Sequence, residues 1–381
     1  MTITLRFLFL FIFAAATLPA EIVQRYDSGY LERIEGQQVL HLAGSPYQIG
    51  FQHGVLMKEQ IAHNLNRFVD KLSDKQAPPL VQAFLAVMPE VVSFIPESLI
   101  DEMKGMAAGS ELPYDKILLL NLFPEMFHCS GITVSGKATT QGELYHVRVL
   151  DYSAANGLQH TAILAVVEPQ NGYAFLNVTY AGFIGSVTGM NEKKIALGEI
   201  GGKGYGSWKG LPMAFLLRLI LEKSASLDDI RLMLKTTSRT CEYHYVFSDG
   251  KTGEALAAYA TADQLDYINP GHTYRSTQED QQPKILDDAP EDCIVITRWD
   301  HIDLLIARLK ATYGHITLND LQEVIKKPIA HFSNLHNAIF APATLEVWIS
   351  HASKNNEPAC DQPYHHFSFK DLLHTASSQQ P

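Results

Sequence analysis

Cysteine is scarce in this chain and runs of basic residues are missing altogether. The four cysteines, Cys129, Cys241, Cys293 and Cys360, form no Cys-x-x-Cys pair, so neither a zinc ribbon nor a thioredoxin-type site is supported. No block of five or more Lys and Arg occurs, and 30 basic against 41 acidic residues give a formal charge of −11. Nucleic-acid binders carry a basic stripe and anionic-lipid binders a polybasic patch, so the balance argues against both. No internal repeat or low-complexity tract is visible. What is present is a 381-residue chain, 46% hydrophobic and 19% charged. It is long enough for one large domain or two ordinary ones, with a sizeable core.

Residues 1–20, MTITLRFLFLFIFAAATLPA, place Arg6 ahead of an apolar run from Phe7 to Ala16, followed by small residues. That pattern reads as a secretory signal cleaved after Ala20, too short to span a bilayer comfortably. The expectation is a secreted or periplasmic protein without stable membrane insertion once the signal is gone. A disulfide is permitted in that compartment, though the sequence does not choose a pair.

Apolar residues at three-to-four spacing predict helix over Ser45–Lys75, and a second helix is predicted from Glu97, with Gly109 as its C-terminal cap. Roughly the first 110 residues are read as mostly helical. After Phe127 the pattern changes to strands. CSGITVSGKAT and ELYHVRVLDY flank Thr140-Gln141-Gly142, and HTAILAVVEP and GYAFLNVTY flank Gln170-Asn171-Gly172; both read as hairpins. Helices are predicted at Leu211–Lys223, Leu227–Leu234, Trp299–Thr312 and Leu318–Lys327. Hairpins are predicted from YHYVFSDG with EALAAYA and from HNAIFA with LEVWIS, and Arg275–Asp292 reads as a surface loop. The order predicts an α+β fold with helices packed on sheet faces.

Cys129 opens the first strand of the β-rich part. An isolated Cys there is ordinarily a core residue, but its surroundings are distinctive. FHCSGITVSGKATTQGELYHVRVLDY resembles the nucleophile region of the acyl-coenzyme A:6-aminopenicillanic acid acyltransferase-like family. Those are N-terminal nucleophile hydrolases, related to penicillin V acylase and bile salt hydrolase. GSPYQIGFQHGVLMKEQI, DEMKGMAAGSELPYDKILLLN, VTGMNEKKIALGEIGG, CEYHYVFSDGKTGEA and HNAIFAPATLEVWISHA extend the likeness in the family's order, from about Leu42 to His351.

The resemblance implies a four-layer αββα sandwich and a precursor that cuts its own His128–Cys129 bond. Residues 1–20 would be signal, 21–128 a helical alpha chain or pro-segment, and 129–381 a beta chain with the catalytic core. A freed α-amine near pKa 8 can take the proton of a thiol near 8.5 without a histidine, and thiolate attack on an acyl carbonyl gives a thioester. The resemblance also assigns Arg148 and Asp151 to orient Cys129 and its amine. Strict alternation puts residues three apart on opposite faces, so both reach one site only if the strand ends or bulges near Leu150. Relatives usually carry an oxyanion-hole Asn before a late helix, where this chain has Thr297 and Arg298. Asn191 and Glu199 are the remaining oxyanion or substrate-binding candidates, and Asn191 reads equally as a hairpin turn residue.

A papain-like site lacks its surrounding sequence, and His331, His336, His351, His365 and His366 match no metal-ligand spacing. Asn177-Val178-Thr179 is a sequon inside a predicted strand. The resulting expectation is an exported, cofactor-independent cysteine amidohydrolase or acyltransferase acting on a small-molecule acyl amide, or an ester. The alternative is a non-catalytic binding protein that keeps the fold.

Overall fold

In the computed structural model, which describes residues 20–69, 88–122, 128–201, 207–275, 284–297 and 301–377, the chain begins with strands rather than helix. β1 (Glu21–Tyr26), β2 (Gly29–Ile34) and β3 (Gln37–Gly44) form an antiparallel meander. Every residue of β1 is exposed, so the inside–outside alternation that marks a strand is missing there. The helix predicted from Ser45 divides into α1 (Pro46–Leu56) and α2 (Lys58–Asn64), with a π-helical turn over Leu65–Val69; the rest of that stretch lies outside the described residues. Ser45 and Gln48 close a capping box at the start of α1.

α3 (Glu97–Ser110) ends at Glu111, whose left-handed conformation (φ 57°) supplies the cap predicted for Gly109. Gly109 lies inside the helix because it has another task. Gly50 and Gly54 on α1 meet Gly105 and Gly109 on α3, backbone against backbone. A Cβ at Gly50 would stand 1.8 Å from the Glu102 carbonyl oxygen, and one at Gly105 2.1 Å from that of Tyr47. Small residues four apart on each helix open this close approach, a device better known between membrane helices. α4 (Tyr114–Leu122) then leads toward the β-rich part.

The predicted hairpins form as β4 (His128–Val134) with β5 (Tyr145–Asp151), and β6 (Ala162–Pro169) with β7 (Phe175–Tyr180). β8 (Thr188–Asn191), β9 (Ile195–Gly201), β10 (Tyr243–Asp249), β11 (Glu254–Ala260) and β12 (Leu265–Ile268) follow β7 in one sheet. That sheet has ten strands, ordered β1-β2-β3-β6-β7-β8-β9-β10-β11-β12, with β3 and β6 parallel. Between β9 and β10 come α5 (Met213–Lys223) and α6 (Leu227–Thr236), the latter capped by Ser226.

β13 (Thr273–Arg275), β14 (Lys284–Leu286), β15 (Cys293–Thr297), β16 (Asn334–Ala341), β17 (Glu346–His351) and β18 (His365–Ser368) join β4 and β5 in a second sheet, ordered β14-β13-β15-β4-β5-β16-β17-β18. The stretch read as a surface loop after Arg275 thus contains an exposed edge strand, β14. α7 (Ile302–Ala311) and α8 (Leu318–Val324, capped by Thr317) lie on the outer face of this sheet. There Ile132, Val147, Val149, Val295 and Ile339 pack against Leu305, Leu309 and Leu321.

Alternation decides which side chains meet between the sheets. Odd residues of β4 and even residues of β5 and β16 turn inward, so Ala338 and Phe340 pack on Leu176, Met190 and Ala196 of the first sheet. α1, α5 and α6 cover that sheet's other side with α3 packed on α1, and α9 (Phe369–Ser377) packs on β17 and β18. The layers run helix, sheet, sheet, helix: the αββα sandwich expected from the sequence. No helix among the described residues is long and apolar enough to cross a membrane. All four cysteines are buried, and none of them forms a disulfide.

Candidate active site

Cys129 is the second residue of β4 and faces the inter-sheet space, as does Gly131 two residues on. A Cβ on Gly131 would collide with Ile200 and Val246 of the first sheet, at 2.6 and 2.8 Å, so this end of the sandwich is closely packed. Arg148 is the register partner of Gly131 on β5. Opposite it, Gly198 on β9 leaves the space that the arginine fills: a Cβ there would lie 2.8 Å from Arg148 Cδ. One glycine, Gly198, makes room for one long buried cation.

That cation is fully committed. Arg148 Nη2 donates to Cys129 Sγ at 2.7 Å and to Glu199 Oε2 at 3.1 Å; Nε donates to the Val187 carbonyl at 3.3 Å, and Nη1 to that of Val149. Glu199 Oε2 is 3.7 Å from the sulfur. Arg148 and Glu199 are both wholly buried, a position in which a charge persists only when paired. Burial pushes the Cys129 thiol well above its ordinary range; Arg148 draws it down, while Glu199 and Asp151 push it up. In the uncut chain the sulfur is therefore a neutral thiol.

The Arg148–Glu199 pair yields a prediction. Arg148→Met strands a carboxylate between the sheets and is expected to cost about 3–5 kcal/mol. Adding Glu199→Leu should recover most of it, as a denaturant-unfolding double-mutant cycle would read. Equal and additive losses would mean that the two residues act independently.

Asp151 needs no bulge in its own strand. It ends β5, turned to the face opposite Arg148, and pairs in register with His128 on β4 and Asn334 on β16. Asp151 thus stands across the ladder from His128, the residue that precedes Cys129. Burial lifts Asp151 to about 6, against the pull of the His331 N–H, the Asn334 amide and Arg148.

Several residues lie in this region without a sequence signal that singled them out. Asn334 donates to Asp151 Oδ1 at 3.1 Å. His336, on the inner face of β16, lies between the Tyr180 hydroxyl (2.8 Å from Nδ1) and Thr188 Oγ1 (3.0 Å from Nε2). The segment that holds His336 is also the one whose Val187 carbonyl holds Arg148. Polar residues at the inward positions of an otherwise apolar strand were the available clue.

Other candidates lie elsewhere. Asn191 does not join the cluster: its amide donates to the Leu221 and Ser224 carbonyls, both at 2.8 Å, and accepts the Ile195 N–H at 3.0 Å. It pins the end of α5 to the β8–β9 hairpin. Thr297 faces the outer side of its strand, bonded to Ser130 Oγ at 2.8 Å, while Arg298 lies outside the described residues. Asn177 is buried, donating to the Gly185 carbonyl, so the sequon is not presented to solvent.

Comparison with known proteins gives the chain its family. The family model described as acyl-coenzyme A:6-aminopenicillanic acid acyl-transferase matches residues 139–356, a span containing Arg148, Asp151 and Glu199. Protein dcd1B of Dictyostelium discoideum is 26% identical over 252 residues, 59% of this chain and 50% of that protein. Acid ceramidase of Bos taurus is 27% identical over 197 residues, 44% of this chain and 48% of the relative. The chain spans about half the length of these curated relatives. Among solved structures, the Caenorhabditis elegans ortholog of N-acylethanolamine-hydrolyzing acid amidase aligns with a TM-score of 0.41 at 16% identity, over 56% of this chain and 93% of that one. A mutant of the conjugated bile acid hydrolase of Clostridium perfringens aligns with 0.38 at 12% identity, over 63% and 96%. The family match covers more than half of the sequence, and this chain belongs to the acyl-coenzyme A:6-aminopenicillanic acid acyl-transferase family.

Proposed function

We propose that this protein is an exported amidohydrolase that cuts its own His128–Cys129 bond and then cleaves acyl amides of small molecules, or esters, through a thioester on Cys129. The observation that carries this reading is the placement of Cys129 at the head of β4, its sulfur 2.7 Å from Arg148 Nη2 and the preceding residue in register with Asp151. The matches to acid ceramidase and to a family named for acyl transfer to an amine support an acyl-group substrate. The short apolar run after Arg6 supports export.

Self-cleavage would begin with Cys129 Sγ attacking the His128 carbonyl. The peptide C–N bond breaks as the C–S bond forms, the thiol proton passes to the departing Cys129 nitrogen, and water releases the His128 carboxylate. Cleavage also changes the environment of the thiol. Its own α-amine, with an ordinary pKa near 8, becomes the base that receives its proton, and Asp151 holds the resulting ammonium. Arg148 stabilises the thiolate, and Glu199 keeps Arg148 in place. Thiolate attack on a substrate acyl carbon then expels the amine, which leaves with the proton carried by the Cys129 amine. Water attacks the thioester, giving the acid and regenerating the thiol. Hydrolysis is favoured over transfer because an exported enzyme meets water far more often than a thioester acyl donor.

Intact mass under denaturing conditions, with Cys129→Ala as control, tests the reading. The expected result is two chains, the larger comprising residues 129–381, and one uncut chain in the control. An activated acyl ester should then label only the new N-terminal cysteine. A single unlabelled chain in both samples would instead favour a binding protein that retains the fold.

A further inference from the structure

We infer that Asn334 is a positioning residue for the reaction: its amide holds the Asp151 carboxylate, across the ladder from His128, for the amine made at Cys129. This inference rests on the proposed role of that amine and extends it to a strand the nucleophile does not touch.

The geometry is specific. Asn334 is wholly buried at the start of β16. Its Nδ2 donates to Asp151 Oδ1 at 3.1 Å and to the Leu150 carbonyl at 3.0 Å, while its Oδ1 accepts the Cys360 N–H at 2.8 Å. A register shift makes the contact. Asn334 pairs with Asp151, but the next residue paired with β5 is His336, opposite Leu150, leaving Leu335 as an extra residue. Without that irregularity Leu335 would oppose Asp151. β-Bulges recur beside active sites because they re-aim a side chain, and this one aims an amide at a carboxylate.

Asp151 therefore lies in a row of three strands, between His128 on one side and Asn334 on the other. A second donor, the His331 N–H at 3.1 Å, converges on the same oxygen. With both donors on Oδ1, Oδ2 is the oxygen left for the new ammonium. Burial favours a neutral carboxylic acid here, and N–H donation opposes it. The His331 N–H, the Asn334 amide and Arg148 together oppose burial, and the amide is the side-chain donor among them, holding the carboxylate ready when the Cys129 amine needs a counter-charge.

The test is Asn334→Leu, close in volume and unable to donate to Asp151, with no charge added beside it. The readouts are the pH dependence of acylation of processed enzyme by an activated acyl ester, and of self-cleavage in the full chain. The acidic limb is expected to move up by about one pH unit, the size of one hydrogen bond to a charged group, so that rates on the limb fall about tenfold. The plateau should stay within a few-fold of the parent, which a merely structural lesion would not preserve. An unmoved limb in a variant with unchanged thermal stability overturns the inference. Should Asn334→Leu not fold, the smaller Asn334→Ala also removes the donor without adding charge; an unmoved limb there overturns the inference equally. Failure of the parent protein to cleave or acylate would instead reject the proposed function.

Discussion

Gly50→Val is expected to leave no soluble folded protein, and Gly105→Val to do the same. In each case the first added atom, Cβ, would lie about 2 Å from a main-chain carbonyl oxygen of the facing helix, that of Glu102 or Tyr47. A flexible side chain could swing away from such an intrusion; a helix backbone cannot. Parting α1 from α3 would open the layer that also buries Ile49, Leu56, Met103 and Met106. Overpacking a core ordinarily costs about 1–3 kcal/mol, but separating two backbones forfeits the whole contact, against a total stability of about 5–15 kcal/mol. Gly50→Ala, a single methyl group, should lower the unfolding free energy by several kcal/mol. Lys104→Ala, exposed on the facing helix α3, should shift it by less than about 0.5 kcal/mol. An unchanged denaturant midpoint in Gly50→Ala would show that the helices can separate freely.

The second large effect is loss of stability in acid. Burial, the largest cause for each, lowers His53 and His146 to about 3 and His351 to about 4, and holds His336 well below the ordinary value. His53 accepts the Gly182 N–H through Nε2 at 3.0 Å, a bond that protonation destroys. The unfolded chain binds these protons below about pH 6.5 and the folded chain does not, so stability falls as pH drops from about 6.5 toward 4. Two carboxyls act in the opposite sense. Burial raises Glu102 to about 7, against its ion pair with Arg218, and Asp151 to about 6. Each contributes stability that is present in acid and lost as pH rises through those values. Between about pH 4.5 and 6, four histidines oppose two carboxyls, and the net is on the order of 3 kcal/mol lost per pH unit of acidification. Denaturant midpoints at about pH 7, 6, 5 and 4 should peak at the upper end and collapse at the lower. A profile flat down to about pH 4.5 would refute this balance.

Much of the architecture was legible because the pairs β4–β5, β6–β7, β10–β11 and β16–β17 are strand-forming runs separated by Gly-bearing or Pro-bearing turns. Cys129 and Arg148 were legible through a resemblance, and the structure brings them together; Glu199, a candidate for the oxyanion or substrate, lies beside them as the partner of Arg148. The meander β1–β3 was not, since an exposed edge strand such as β1 presents no apolar alternation. Gly109 resembled a helix cap because composition does not reveal which glycines face another backbone. Asn191 attracted a role through its motif, although its amide is committed to joining the end of α5 to the β8–β9 turn. Asn334 escaped notice for a different reason: its contact with Asp151 depends on a one-residue slip in register, which arises only from the assembled sheet.

The parallel pairing of β3 with β6 has a consequence for what cleavage would do to the molecule. β1–β3 precede Cys129 in the chain and β6–β12 follow it, yet they share one hydrogen-bonded sheet. A cut at His128 would turn an intramolecular ladder into an interface between two polypeptides, without moving an atom of it. Before the cut, reassembly after unfolding is a first-order process whose partner is always at hand. After it, the same strands must find one another by diffusion, so recovery would depend on concentration. The native state would then endure through the slowness of its unfolding. Maturation would cost the protein its ability to refold alone.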